Sequence, residues 1–152
     1  DWPDLLNGDK KAKQVASAVV TVEDLLVKTN LDDKQQIRWR GKTKEVKFFG
    51  HCHQRALQGT GNSLEALNLP DGYKATEIEA GCCGMAGSFG YEKKHIEVST
   101  AVGEDRLFPA VRAAGSKIEI ATNGISCKEQ IGFNTLRKSR HIIEILADDL
   151  PE

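Results

Sequence analysis

The sequence predicts an α/β protein: a small, mainly parallel sheet flanked by helices, with cysteines at the carboxyl ends of the strands. Two observations carry that expectation. Three apolar, β-branched runs recur at intervals of roughly 30–45 residues, each separated from the next by a stretch of helical periodicity, which is the pattern of strands joined by helical crossovers. A cysteine or cysteine pair follows each run. A third observation sets the scale: 152 residues are enough for one ordinary domain that buries roughly 68–70% of its unfolded surface without staples.

In chain order, Asp9 to Val20 is rich in Lys and Ala, with Val15, Ala16 and Val19 at helical spacing, and predicts an amphipathic helix. Thr21-Val22-Glu23-Asp24 places a capping side chain before acidic residues, so a second helix starts there, with Leu25, Leu26 and Val27 as its buried face. The polar segment Asn30 to Lys44, with Asp32, Asp33, Arg38, Arg40 and Gly41, reads as a loop. The first strand is Glu45 to Gly50, the second Lys74 to Gly81 and the third Lys117 to Thr122. Two of the three alternate in polarity, which predicts strands open on one face or at an edge. Between the first two, Gly59 and Gly61 divide Gln54 to Leu69 into a helical turn or two and a short helix capped near Asn62 or Ser63. Pro70-Asp71-Gly72 is a turn. Glu92 to Ala114 is the longest helical stretch, its Ile96, Val102, Leu107, Phe108 and Val111 suited to packing on the sheet, with Pro109 kinking or restarting it. A short helix from Cys127 to Phe133 and a last one from Ser139 to Leu150, with Ile142, Ile143, Ile145 and Leu146 in the core, complete the chain. No internal repeat or second domain is evident, so residues 1–152 read as one cysteine-rich domain.

Composition excludes several classes. Hydrophobic residues make up 39% and charged residues 28%, and 21 basic residues meet 22 acidic ones, which argues against disorder and against an electrostatic grip on nucleic acid. The most apolar stretch, Val15 to Val27, already contains Glu23 and Asp24, so no membrane span is expected. The opening Asp-Trp-Pro-Asp, without an initiator Met or a leader, suggests a piece of a longer polypeptide. Four cysteines, two of them adjacent, in a chain large enough to have a core point to ligands or redox thiols in a reducing compartment.

Cys52, the pair Cys82-Cys83, and Cys127 all fall at or after strand ends. In an open α/β sheet those ends face one crevice, so four thiols distant in sequence can converge. A structural zinc would usually show C-x-x-C knuckles, and none is present, whereas neighbouring thiolates can serve different irons of a cluster. Disulfides remain open, although an adjacent pair closes a strained ring. The tract Gly81-Cys82-Cys83-Gly84-Met85-Ala86-Gly87-Ser88-Phe89-Gly90 lets the backbone approach a cofactor and point N–H groups at sulfur, with Gly84 and Gly87 as candidates. The alternative is a loop that merely needs positive φ angles. It lacks the features of a nucleotide loop. In His51-Cys52-His53-Gln54-Arg55, the histidines can donate to thiolate, ligate a metal or carry protons. They can equally cap and pack a helix, while Arg55 can offset cofactor charge. His95 and His141 lie on helix patterns with surface or core roles. A Cys–His nucleophile at His53 lacks a third orienting residue.

Three segments together resemble the cysteine-rich CCG domain of the heterodisulfide reductase family: His51 to Leu57, Gly81 to Glu92, and Gly124-Ile125-Ser126-Cys127. The likeness covers nearly the whole chain, and within the family it is nearest to the C-terminal part of FAD-linked oxidases fused to an iron–sulfur oxidoreductase, of the D-lactate or D-2-hydroxyglutarate dehydrogenase type. The resemblance implies an iron–sulfur cluster, for instance one of the four-iron type, held by Cys52, Cys82, Cys83 and Cys127. It also implies electron transfer from an FAD bound in a missing domain, and flavin and ferredoxin-like domains as partners. The family pattern often ends in C-x-x-C; here the position three before Cys127 is Gly124, so a fifth thiol is absent and one four-iron cluster or a zinc is the simpler option. The expected function is an electron-transfer domain of a 2-hydroxy-acid oxidoreductase, inactive alone. A structural zinc module of the same enzyme, or thiol–disulfide chemistry at Cys82-Cys83, are the alternatives. The expected location is the cytoplasm, including the inner face of a membrane through a partner.

Overall fold

The computed structural model describes residues 2–30 and 37–152; Asp32 and Asp33 of the expected loop lie outside the described residues. The helices are α1 (Trp2–Leu5), α2 (Lys10–Ala18), α3 (Val22–Asn30), α4 (Cys52–Leu57), α5 (Gly61–Leu67), α6 (Ile96–Glu104), α7 (Leu107–Ala113), α8 (Ile125–Thr135) and α9 (Ile142–Ala147). The strands are β1 (Lys44–Phe49), β2 (Tyr73–Glu77), β3 (Glu119–Thr122) and β4 (Ser139–Arg140). They form one sheet in the order β2-β1-β3-β4, every pairing parallel, with Val46 opposite Ala75 on one side and Glu119 on the other.

The pleat divides the core. Val46 and Phe48 of β1 and Ala121 of β3 face a cluster with Ala66, Leu67, Ile142, Ile145 and Leu146. Their neighbours Phe49 and Ile120 face Leu107, Phe108, Val111 and Ile131. Thus α5 and α9 cover one face and α7 and α8 the other, as alternating side chains require. Phe48 and Phe49 of β1 and Ile120 and Ala121 of β3 are buried on opposite faces, and the openness expected from alternation is seen in the first half of β1, where Glu45 is exposed and Lys47 half-buried, and on the edge strand β2, where Tyr73 is buried and Lys74 and Thr76 are exposed.

Several boundaries differ from expectation. The second strand stops at Glu77. The fourth strand has only two residues, too few for any periodicity to reveal, and the last helix consequently starts at Ile142. His141 caps it: its ring accepts from the Ile143 N–H at 3.3 Å, and Glu144 accepts from the His141 N–H at 2.7 Å, a reciprocal capping arrangement. The stretch from Glu92 to Ala114 is one short 3₁₀ turn, Lys93–His95, preceded by another at Phe89–Tyr91 and followed by two helices that break at Asp105 and Arg106. Pro109 sits in the first turn of α7, where its missing N–H costs nothing. Ile96 and Val102 are 42% and 41% exposed; α6 instead buries Ser99 and Gly103, because small residues allow its close approach to the glycine loop and to the Phe108 ring. The helix at Cys127 runs from Ile125 to Thr135, longer at both ends than expected. Helix α5 starts two residues early, and Thr60 donates to Glu77 at 2.8 Å rather than capping.

The N-terminal helices also depart from expectation. Asp9 caps α2 by accepting from the Lys11 and Ala12 N–H groups, but Val15 and Val19 are exposed, and only Ala12 is buried. Thr21 and Asp24 form the expected reciprocal cap of α3. Leu26 and Val27 pack on the core, Leu25 is exposed, and Glu23 is buried in its place. Among the described residues, no helix is long and apolar enough to cross a membrane.

The amino-terminal edge of the sheet is held by the residues after α9. Asp149 is fully buried and accepts from the N–H groups of Gly41 (3.2 Å) and Lys42 (2.9 Å). Asp148 accepts from Arg140 at 2.7 Å, and the Arg140 guanidinium, then Lys44, holds its carboxyl well below the usual carboxylate range. Asp149→Ala removes a buried carboxylate and its bonds to two partly buried backbone donors and is expected to cost about 1 kcal/mol of folding free energy, read as a lower urea midpoint at unchanged denaturant slope.

Candidate sulfur site

The strand order creates one special place. The crossover after β1 runs through α5 on one face and the crossover after β3 through α8 on the other, so the carboxyl ends of β1 and β3 diverge around a crevice, the position where open α/β sheets bind ligands. Cys52 is the first residue of α4, and Cys127 lies in the first turn of α8. The vicinal pair follows β2. All four thiols are free: Cys52 exposed, Cys82 half-buried, Cys83 and Cys127 buried.

The structure brings the sulfurs together as a chain of contacts. The Cys127 thiol hydrogen-bonds to Cys83, which is also hydrogen-bonded by Cys82 and by the Met85 N–H. The Gly84 N–H donates to Cys82 Sγ at 3.3 Å. Cys52 makes no such bond, but it is close enough that a negative charge on it, as on Cys82, is felt at Cys127. The consequence is a shared proton. The hydrogen bond from Cys127 lowers the Cys83 thiol from 9.0 to about 6, outweighing the opposing effect of burial. Holding that proton, with burial adding to the effect, pushes the Cys127 thiol far up.

The glycine loop is shaped around this contact. Gly84 and Gly87 have φ of +95° and +69°, and a Cβ on Gly84 would run into the main chain of Ser99. Ser99 Oγ donates to the Gly84 carbonyl at 2.8 Å and accepts from Gln130 Nε2 at 2.9 Å. Both side chains are buried, so α6 and α8 together fix the turn after the vicinal pair. Neither residue was expected. The available signal was a polar residue at a buried position of each helix, Gln130 beside Ile131 and Ser99 one turn before Gly103.

The flanking residues of Cys52 take separate places. Arg55 stacks at 5.3 Å over the Phe49 ring and donates to the carbonyls of Ala80, at 2.5 Å, and Gly81. Its guanidinium thus clamps the main chain entering Cys82, and its Nε is buried without a partner. The His51 ring lies over Gly124: a Cβ there would stand 2.5 Å from His51 Cδ2 and 3.0 Å from Cys127 Sγ. Any side chain at position 124 would therefore project into the sulfur crevice, into space that His51 now occupies. His53 is exposed and meets His51 edge to face at 6.4 Å.

The donor set suits a sulfur-bound centre. Cys82, Cys83 and Cys127 form a chain of contacts with Cys52 within electrostatic reach, and the Cβ-free space at Gly124, beside Cys127, is filled by the His51 ring. Among the described residues no three His, Cys, Asp or Glu side chains are already grouped to hold a single metal ion.

Fold and site together define a doubly wound α/β unit with a thiol cluster at its switch point. No known family profile matches the chain, and no solved structure matches it. It is 27% identical over 150 residues to one of the subunits of the anaerobic glycerol-3-phosphate dehydrogenase of Escherichia coli (strain K12), a match covering 99% of this chain and 37% of that protein. It is 33% identical over 102 residues to D-2-hydroxyglutarate dehydrogenase of the same organism, covering 66% of this chain and 10% of that one. The D-2-hydroxyglutarate dehydrogenase of Pseudomonas putida is 27% identical over 101 residues. The chain is thus similar to portions of dehydrogenases and spans little more than a third, or a tenth, of their length.

Proposed function

We propose that residues 1–152 are one cysteine-rich piece of a larger FAD-linked dehydrogenase acting on a 2-hydroxy acid, and that Cys52, Cys82, Cys83 and Cys127 hold an iron–sulfur cluster. The observation that carries this reading is the sulfur chain Cys82–Cys83–Cys127 at the switch crevice, with Cys52 within electrostatic reach. A cluster bound there would supply reversible one-electron storage. The protein's contribution is positional. The Gly84 N–H, already directed at Cys82, and the Met85 N–H, directed at Cys83, stabilise negative charge on sulfur. Gly87 keeps the turn compact, Arg55 fixes the approach to the pair, and His51 and His53 flank the exposed Cys52 side. The similarity to D-2-hydroxyglutarate dehydrogenase supports the hydroxy-acid substrate. The unmatched length of the relatives is where we place the flavin and a ferredoxin-like domain. Free thiols suit a reducing compartment, so we place the enzyme in the cytoplasm or at the inner face of a membrane through a partner.

The test is anaerobic incubation of the chain with ferrous iron and sulfide, followed by desalting. Brown protein retaining about four iron atoms and matching acid-labile sulfide, lost in Cys83→Ser, is the expected result. Colourless protein that takes one zinc instead would favour a structural zinc module. Retention of no metal by the wild-type chain would overturn both.

A further inference from the structure

We propose that Gln130 and Ser99 form a hydrogen-bond relay that ends on the Cys83 sulfur and tunes how much negative charge that sulfur bears, acting through the one peptide unit that Gly84 and Met85 share. Three donors point the same way. Gln130 Nε2 donates to Ser99 Oγ at 2.9 Å. Ser99 Oγ in turn donates to the Gly84 carbonyl at 2.8 Å. The N–H of that same peptide unit belongs to Met85, and it donates to Cys83. Helix α8 carries both Gln130 and Cys127, so it addresses Cys83 twice: directly through the Cys127 thiol, and at a distance through the relay.

A peptide unit is planar and conjugated, so a donor drawing on its carbonyl oxygen makes its N–H a stronger donor. A serine hydroxyl has one proton to give, and Ser99 spends it on Gly84. Gln130 fills the acceptor side of that hydroxyl, which fixes its direction and polarises it further. Ser99 is 1% and Gln130 6% exposed, so water does not compete and each bond acts in a low local dielectric. Apolar side chains would join α6 to α8 without the cost of burying a hydroxyl and an amide; the polar pair is matched instead to the Gly84 carbonyl. A stronger Met85 bond stabilises negative charge on Cys83, which in a bound cluster favours the reduced state. That bearing on electron transfer rests on the cluster reading above. Neither side chain bonds to sulfur in this scheme: both are positioning residues that act through the peptide.

The Met85 amide proton reports the last bond of the relay in the metal-free, reduced, ¹⁵N-labelled full chain. Ser99→Ala should move it upfield, the direction of a weaker hydrogen bond. Gln130→Met keeps the Ser99 bond and removes only its polarisation, about 10–30% of a bond's strength, so it should move the proton the same way by less. The double variant should match Ser99→Ala alone, because Gln130 acts only through Ser99; two residues that merely hold the helices together would give independent effects. After loading with ferrous iron and sulfide, the variants should show reduction potentials below that of the wild type, Ser99→Ala the lowest. A Met85 proton unmoved in Ser99→Ala, a downfield shift, or effects that add in the double variant would overturn the relay. If Ser99→Ala does not fold, Gln130→Met decides, and an unmoved Met85 proton there overturns it. A wild-type chain that takes up no iron overturns the cluster reading, whereas the Met85 proton still decides the relay.

Discussion

Gly84→Ala is expected to lower folding stability by about 3 kcal/mol or more, because left-handed backbone strain and steric overlap add at one position. The first contribution is the φ of +95°, which L side chains rarely adopt. The second is contact: the new methyl group would overlap the Ser99 carbonyl oxygen and stand 2.8 Å from its carbon. Neither partner can yield cheaply. Ser99 belongs to a helix pressed against Phe108 through Gly103 and bonded to Gln130, and moving the loop breaks the Ser99 bond to Gly84 and withdraws the Gly84 N–H from Cys82. Gly87→Ala supplies the control. Its φ is +69°, but open space surrounds it, so only the backbone contribution of about 1 kcal/mol is expected. Urea midpoints of the two variants should differ accordingly; equal losses would show that packing against Ser99 contributes nothing.

The strands and the cysteine placement were legible in the sequence because both are local signals: apolar runs mark β1, β2 and β3, and a parallel topology carries their ends to one edge. What stayed hidden depended on partners far along the chain. Glu23 reads as an ordinary acid in the first turn of a helix, and nothing near it indicates that Asn123, 100 residues on, draws it inside. Arg55 reads as charge beside a cofactor, yet two carbonyls and the Phe49 ring occupy its guanidinium. Helical periodicity points to the largest apolar residues of α6 as its buried face, whereas the close approach to the glycine loop selects its smallest. Periodicity measures hydrophobicity, not how near two backbones must come.

The second large effect is a pH dependence of the metal-free chain that belongs to the Cys83–Cys127 pair. With Cys83 lowered from 9.0 to about 6 and Cys127 raised, the folded pair holds one proton across that interval, while the unfolded chain still holds two. The unfolded state therefore binds more protons between pH 6 and 9, and this contribution to stability rises with pH by about 1.4 kcal/mol per unit there. Below pH 6 both states hold two protons, and the contribution is absent. Above pH 9 the sign reverses: unfolded thiols have lost both protons, folded Cys127 keeps one, and stability falls. The expected result is a maximum near pH 9 in urea midpoints measured under reducing, chelated conditions. Cys83→Ser and Cys127→Ser should each flatten the rise, because each removes the neighbour with which the proton is shared. A wild-type profile that is flat from pH 6 to 9, or a rise that survives in both variants, would show that the two sulfurs do not share a proton in solution and that the buried contact at the centre of the site is not formed.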